Sequence, residues 1–111
     1  MIVCVPVTSD GQVDSSWGRA GRVALARVEG GQITSWEEHP VGWDVLHDVG
    51  TDGGHHARVA TFLRDHGVEV VVAGHMGPPM AQMLAKMRIL ARTGAQGDAR
   101  QAVETAGRLD G

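Results

Sequence analysis

The sequence predicts an α/β fold in which helices cover a mixed five-stranded sheet. Short apolar runs typical of buried strands alternate with segments whose apolar residues recur every three or four positions, as on the inner face of a helix. These elements follow the order β-β-β-α-β-α-β-α, and the later repeats require right-handed crossovers between parallel strands. With 111 residues, residues 1–111 are expected to form a single domain.

The first three predicted strands differ from one another in character. The run "IVCVPV" (2–7) is rich in β-branched residues and indicates a buried strand. The segments "RVALARV" (22–28) and "QITSWEEH" (32–39) are separated by "EGG", which favours an antiparallel hairpin. The stretch 40–51 has no periodicity and predicts a long loop, which is uncommon in a small domain unless it is functional.

The second half of the chain alternates between helices and strands. Apolar residues recur at helical spacing in three segments, whereas "VEVVVAG" is continuously apolar, as in a strand covered on both faces. Gly67 ends the first of these helices, and paired prolines begin the second. The predicted elements are a helix over 54–66, a strand over 68–74, a helix over 78–87, a strand over 88–93 and a helix over 98–109.

Composition and charge exclude several classes of function. The net charge is -3 and no block of Lys and Arg occurs, so we expect no nucleic-acid partner. No stretch has the length of a signal peptide or a membrane span, which predicts a cytoplasmic protein without a membrane partner. A lone Cys4 allows no internal disulfide and excludes a four-cysteine metal site.

The predicted topology places a ligand site at one edge of the sheet. In open α/β sheets, ligands bind beyond the carboxyl ends of the parallel strands. Three loops are expected there, over 8–21, 75–78 and 93–97, together with the amino terminus of the helix that begins at Gly54. Helix amino termini have unpaired amides and a positive dipole end, so this edge is predicted to attract an anion.

Three quoted stretches carry a resemblance to a known family. The segments "GVEVVVAGHMGP" and "ARTGAQGDARQAVE" are similar to the strand, turn and helix motifs of the dinitrogenase iron-molybdenum cofactor biosynthesis family, which includes NifX-like proteins and the carboxyl-terminal part of NifB. The opening "VPVTSDGQVDSSWGRA" resembles that family's first strand and "HFGRA"-type loop. The resemblance covers nearly the whole chain. It departs at Ser16, where family members often have a histidine.

The resemblance implies a ribonuclease H-like, three-layer domain that binds or carries a cofactor precursor and catalyses no reaction. The cargo implied is an iron-sulfur or iron-molybdenum-type cluster, with cofactor donor and acceptor proteins as partners. A nuclease of that fold would need carboxylates on its first strand, and "IVCVPV" has none. Motifs of other enzymes, such as a phosphate loop, are missing too. The alternative is a domain that binds a small-molecule or phosphoryl ligand at its helix amino termini, without metal.

Four histidines are the candidate metal ligands. The stretch "HDVGTDGGHH" contains His47, His55 and His56, and His75 follows the central strand directly. A metal-sulfur cluster brings its own sulfides, so one or two imidazoles could complete its coordination. Alternatively, three histidines and a water would suit a single divalent transition metal, with Asp48 or Asp52 orienting the ligands. Adjacent histidines in a first helical turn are also commonly just solvated.

Other residues are predicted to hold an anionic ligand or to have structural roles. Arg19 would steady the ligand's charge, and residues at the turns and helix starts would supply amide donors: Gly54, Gly77, Thr93, Gly94 and Gly97. The Met80, Met83 and Met87 stripe is expected to pack in the core, whereas Met76 is a minor ligand candidate. Structural roles are expected for Cys4, His39 and His66, while Trp17 and Trp43 either cover the site or close the edge of the core.

Overall fold

A mixed sheet forms the centre of the molecule. The structure, a computed structural model, describes residues 1–46, 50 and 52–110, apart from the side chains of 52 and 108–110. Within this part of the chain five strands are present: β1 (Ile2–Pro6), β2 (Arg22–Glu29), β3 (Gln32–Pro40), β4 (Val70–Val72) and β5 (Leu90–Arg92). Their order across the sheet is β3-β2-β1-β4-β5. The predicted α/β class and five-stranded mixed sheet are confirmed.

The direction of pairing changes at β1. Cys4 lies opposite Leu25 in the antiparallel pair with β2, and opposite Val71 in the parallel pair with β4. Strand β5 continues the parallel half, whereas β2 and β3 form the predicted hairpin around Gly30 and Gly31, both at positive φ. The connection after β1 leads to β2 on one side, whereas the connection after β4 leads to β5 on the other side. The gap beyond the carboxyl ends of β1 and β4 is therefore the expected place for a ligand.

The described helices include one that the sequence did not predict. They are α1 (Trp43–Leu46), α2 (Asp52–Asp65), α3 (Pro78–Lys86) and α4 (Ala99–Asp110). The prediction of a continuous loop was wrong at 43–46, and the element order gains a helix. Four residues are too few to produce a helical period, and α1 is held by tertiary packing, since Trp43 is only 2% exposed.

Helices pack on both faces of the sheet. On one face, α2 and α3 bury Val59, Leu63 and Leu84 against the side of β1 that carries Cys4. On the other face, α4 buries Val103 and its neighbours against the side that carries Val5. The two hydrophobic clusters are separated by the sheet, so the predicted covering of the sheet by helices is confirmed.

The predicted packing roles of the sulfur-containing side chains are also confirmed. Met80 is buried in the same cluster as Leu84, and Met83 and Met87 pack against it. Cys4 is completely buried, and this burial raises the pKa of its thiol well above the ordinary value of 9.0. Among the described helices, none combines the length and apolar character that crossing a bilayer requires.

Candidate functional site

A pocket of about 250 Å³ lies beyond the carboxyl ends of β1 and β4. Its walls come from the loop after β1, the loop after β4 and the first turns of α2 and α3. The lining residues are Ser16, Trp17, Gly18, Arg19, His55, His56, His75, Met76, Gly77, Pro79 and Met80. The structure thus brings together three of the four candidate histidines with Arg19 and Gly77.

Backbone contacts hold the two loops beside each other. Ser16 and His75 form an isolated parallel bridge between the loop after β1 and the loop after β4. Next to it, a Cβ atom on Gly74 would lie 3.2 Å from the Ala95 carbonyl oxygen and 3.4 Å from Ser15 Cα. Glycine at position 74 therefore permits the close approach of three backbone segments beside His75.

His55 forms part of the pocket wall rather than a freely accessible ligand. Its side chain is 2% exposed, with Nε2 2.7 Å from the Gly18 carbonyl oxygen and Nδ1 2.9 Å from Arg58 Nη1. A guanidinium can only donate, so Nδ1 accepts and Nε2 carries the proton donated to Gly18. Because both ring nitrogens are engaged, His55 would have to lose one of these hydrogen bonds to coordinate a metal.

Arg58 supports His55, a role that the sequence did not predict. Besides its contact with His55, its Nη1 donates to the Leu46 carbonyl oxygen at 3.2 Å. It therefore connects the end of α1, helix α2 and, through His55, the Gly18 loop. The available signal was the i, i+3 spacing of His55 and Arg58, which places them as neighbours on one helical face.

His56 and His75 remain the more accessible candidate ligands. Both line the pocket, and His56 is partly exposed whereas His75 is exposed. In the part of the chain that the structure describes, no three His, Cys, Asp or Glu side chains are close enough together to hold a metal ion. His47 and Asp48 lie outside the described residues, as does the side chain of Asp52.

The start of α3 provides fewer amide donors than its position suggests. Gly77 is the N-cap residue, and Pro78 and Pro79 occupy the first two helical positions. Proline has no N–H, so the two proline positions contribute none of the unpaired donors normally found at a helix start. An anion at this position would therefore be attracted by the dipole of α3, by Arg19 and by side-chain donors more than by backbone amides of α3. Gly54 lies in the first turn of α2 but does not line the pocket.

One wall of the pocket includes Trp17, whose ring packs against other buried aromatic rings. Trp17 is 1% exposed and contacts Trp43 edge to face, with ring centroids 5.3 Å apart. Trp43 in turn contacts Phe62, at a centroid distance of 5.7 Å. The two tryptophans therefore belong to the core, and Trp17 also lines the pocket.

The loop after β5 contributes to a different pocket. Thr93 and Gly94 line a groove of about 620 Å³ between β5 and α4, which shares no lining residue with the histidine pocket. Asp98 also lines this groove, and its carboxylate accepts a hydrogen bond from the Gln101 amide at 2.9 Å. Gly97, at φ 83°, forms the turn before α4 and its carbonyl oxygen accepts from the Val13 amide.

The two other described histidines, His39 and His66, do not line the pocket. His66 Nδ1 is 2.8 Å from the Phe62 carbonyl oxygen, and the His39 and His66 ring centroids are 5.3 Å apart beside the Phe62 ring. These contacts agree with the structural roles predicted for both.

Comparisons with known proteins agree with this architecture. A family model described as "Dinitrogenase iron-molybdenum cofactor" matches residues 1–108, whereas no curated protein matches the chain. The apo form of the orange protein from Desulfovibrio gigas is 22% identical, with a TM-score of 0.77 over 96% of this chain and 87% of the other. The crystal structure of PH0822 is 20% identical, with a TM-score of 0.76 over 96% and 89%. These structural similarities establish the fold alone.

Proposed function

The chain belongs to the dinitrogenase iron-molybdenum cofactor family, and we propose that it carries an anionic metal-sulfur cluster in the histidine pocket without catalysing a reaction. The observation that carries this proposal is the convergence of His56, His75 and Arg19 on one 250 Å³ pocket. A cluster of the iron-sulfur or iron-molybdenum type supplies most of its own ligands as sulfides. Two imidazoles and a guanidinium can therefore complete its binding.

The donor set suits a cluster better than a single divalent ion. A bound zinc ion normally takes three or four protein ligands, and no group of three is assembled among the described side chains. The thioether side chains of Met76 and Met80 also line the pocket, and such soft, polarizable groups are compatible with metal sulfides. Arg19 has the charge needed to balance an anionic cluster.

A carrier must also release its cargo, and the pocket has an exposed side. His75 and Arg19 are exposed, whereas His55 and Trp17 are buried behind them. A donor or acceptor protein would approach the cluster from the side of His75 and exchange its own ligand for the imidazole. We further propose a ribonuclease H-like fold and a cytoplasmic location for this carrier.

Binding of a phosphoryl or other small anion without metal is less well supported. The prolines at the start of α3 remove amide donors from the histidine pocket, and the Asp98 carboxylate lines the second groove. Inorganic phosphate is therefore expected to compete weakly for the histidine pocket. Strong competition by phosphate would favour this alternative.

The proposal is tested by loading the untagged protein under anaerobic conditions. Iron and sulfide, or tetrathiomolybdate, should give a protein-bound species with charge-transfer absorbance in the visible range after gel filtration. The double variant His56→Ala/His75→Ala should lose this absorbance. A matched double variant, His39→Ala/His66→Ala, removes two imidazoles outside the pocket and should retain it. Equal loading of both variants would overturn the assignment of the site.

A further inference from the structure

Strand β5 has an open edge. Within the part of the chain that the structure describes, β5 is the last strand of the sheet and pairs with β4 alone. The Leu90 amide donates to the Glu69 carbonyl oxygen at 3.1 Å. The Arg92 carbonyl oxygen accepts from the Ala73 amide at 2.9 Å. Backbone groups of successive residues point to opposite sides of a strand, so the N–H and C=O groups of Ala91 point away from β4.

The face of β5 that is turned towards α4 is also open. Arg92 pairs with Val72, which is buried under α4, and therefore lies on this face, where both line the 620 Å³ groove. Leu90 shares the face and is 50% exposed, one of two large hydrophobic side chains exposed among the described residues. Helix α4 makes its main contacts with β1, β2, β3 and β4, and only the small side chains of Ala102 and Ala106 are its apolar contribution to the groove.

The charges around β5 are mainly positive. Residues 86–97 include Lys86, Arg88 and Arg92 and no acidic residue. The carboxylate of Asp98, which lines the groove, accepts a hydrogen bond from the Gln101 amide. A second copy of the chain on this edge would place basic residues of one molecule beside those of the other, and like charges destabilise strand pairing. The charges therefore favour an acidic partner over self-association.

We propose that β5 is a docking site for an extended acidic segment of a partner protein. The segment adds a strand to the sheet beside Ala91, because main-chain hydrogen bonds to an exposed edge are independent of side-chain identity. Every second side chain of an extended segment points to the same face, so apolar side chains of the segment enter the groove between β5 and α4. Acidic side chains at its two ends pair with Arg88 and Arg92. The groove shares no lining residue with the histidine pocket, and the docking site does not depend on the cargo of that pocket.

A short peptide tests the site on the unaltered protein. The probe has three central valines flanked on each side by two glutamates, with both termini blocked. In a ¹⁵N-labelled sample it should move the Ala91 amide resonance downfield and slow the hydrogen exchange of that amide. Exchange of the Leu90 amide, which is already bonded to Glu69, should change little. The same peptide with lysines in place of the glutamates should bind at least about tenfold more weakly.

Three results would overturn the docking site: no binding of the glutamate peptide, binding that leaves the Ala91 amide unaffected, or equal binding of the two peptides. None of them bears on the histidine pocket, so the proposed function would stand. Conversely, a protein that binds the glutamate peptide as expected but takes up no cluster would keep the docking site and lose the proposed function.

Proline substitutions test the direction of the backbone groups. Ala91→Pro removes an N–H that takes no part in the ladder, so the thermal midpoint should change little while the glutamate peptide binds at least about tenfold more weakly. Leu90→Pro removes the N–H that donates to Glu69 and should lower the midpoint clearly. Peptide affinity that is retained in a folded Ala91→Pro variant would contradict strand addition at β5.

Charge reversal gives a result that loss of folding cannot produce. Arg88→Glu/Arg92→Glu should bind the lysine peptide more tightly than the glutamate peptide, the opposite of the unaltered protein. Arg27→Glu/Arg64→Glu makes the same change of charge at exposed arginines of β2 and α2 and should keep the original preference. An unchanged preference in the first variant, or a reversed one in the second, would overturn the assignment of the site to β5.

Discussion

Arg58 Nη1 lies 2.9 Å from His55 Nδ1, and this contact determines the role of His55 in the site. The arginine makes Nδ1 an acceptor, so the proton on Nε2 points to the Gly18 carbonyl oxygen 2.7 Å away. Helix α2 thereby holds the loop that carries Trp17 and Arg19. Two adjacent histidines consequently differ: His55 is buried and supports the wall, whereas His56 is partly exposed and lines the pocket.

Arg58→Ala should destabilise the protein and weaken ligand binding. Removing the guanidinium leaves His55 Nδ1 and the Leu46 carbonyl oxygen without this donor, at a cost of about 1–3 kcal/mol in the free energy of unfolding. Urea denaturation measures this change. Arg64→Ala is the control on the same helix, since Arg64 is exposed and its Asp65 ion pair at 3.8 Å should contribute less than about 1 kcal/mol. Equal losses in the two variants would contradict the role of Arg58.

Ser16→His should increase metal affinity. Ser16 lines the pocket and pairs with His75, so an imidazole there would join His56 and His75 and supply a third nitrogen ligand. Zn²⁺ affinity measured by calorimetry should rise at least about tenfold. Ser15→His adds the same side chain at an exposed neighbour outside the pocket lining and should have little effect. If the two variants bind Zn²⁺ equally, the geometry assigned to position 16 is wrong.

Gly107→Ala should destabilise the packing of α4 on the sheet. A Cβ atom at this position would lie 2.8 Å from Val28 Cγ1, too close unless the Val28 side chain, the helix or the strand shifts. Overpacking of this kind costs about 1–3 kcal/mol, which exceeds the gain in helix propensity of up to about 1 kcal/mol.

Gly53→Ala is the matched control for this change. Position 53 lies in α2, and an added Cβ would meet nothing within 4 Å. The substitution should therefore only add the higher helix propensity of alanine, which is stabilising. Thermal unfolding should show a lower midpoint for the position 107 variant and an equal or higher one for the position 53 variant. A rise for both would contradict the close packing of α4 against β2.

Cys4 should make stability decrease at alkaline pH. Burial raises the pKa of its thiol in the folded state, whereas the unfolded chain ionises near the ordinary value of 9.0. Above that pH the unfolded state has released the proton that the folded state keeps, so the free energy of unfolding falls by about 1.4 kcal/mol per pH unit. Below pH 9.0 the thiol is protonated in both states, so the stabilising contribution of the buried Cys4 is fully present.

The comparison of the unaltered protein with Cys4→Ala isolates this effect from other alkaline titrations. The difference in unfolding free energy between the two should narrow from pH 9 upwards in urea titrations. A difference that stays constant up to pH 10.5 would show that the thiol is not protected from ionisation. In the folded protein, alkylation of Cys4 should be slow at all these pH values because the reactive thiolate is suppressed.

Local patterns were sufficient for most of the fold. The structure contains the strand predicted from the β-branched run 2–7, the "EGG" hairpin and the helix α3 predicted from its apolar stripe. These predictions succeed because a helix or strand that buries one face has apolar residues at the spacing of that face. Strands β4 and β5 are shorter than predicted. Val68 and Ala73 are buried but lie outside β4. An apolar run therefore indicates which residues are buried, but not which of them pair with a neighbouring strand.

Spatial relationships between distant segments were decided only by tertiary structure. The sequence presented His55 and His56 as adjacent candidate ligands, but burial and the Arg58 contact distinguish them. The loop containing Thr93 was predicted to share the histidine rim, yet it lines a groove of its own. Helix α1 and the Trp17 indole without a partner depend on packing between segments far apart in the chain. Residue types and spacings indicate which groups are available, whereas the hydrogen-bond partners of each group depend on which elements the folded chain places beside it.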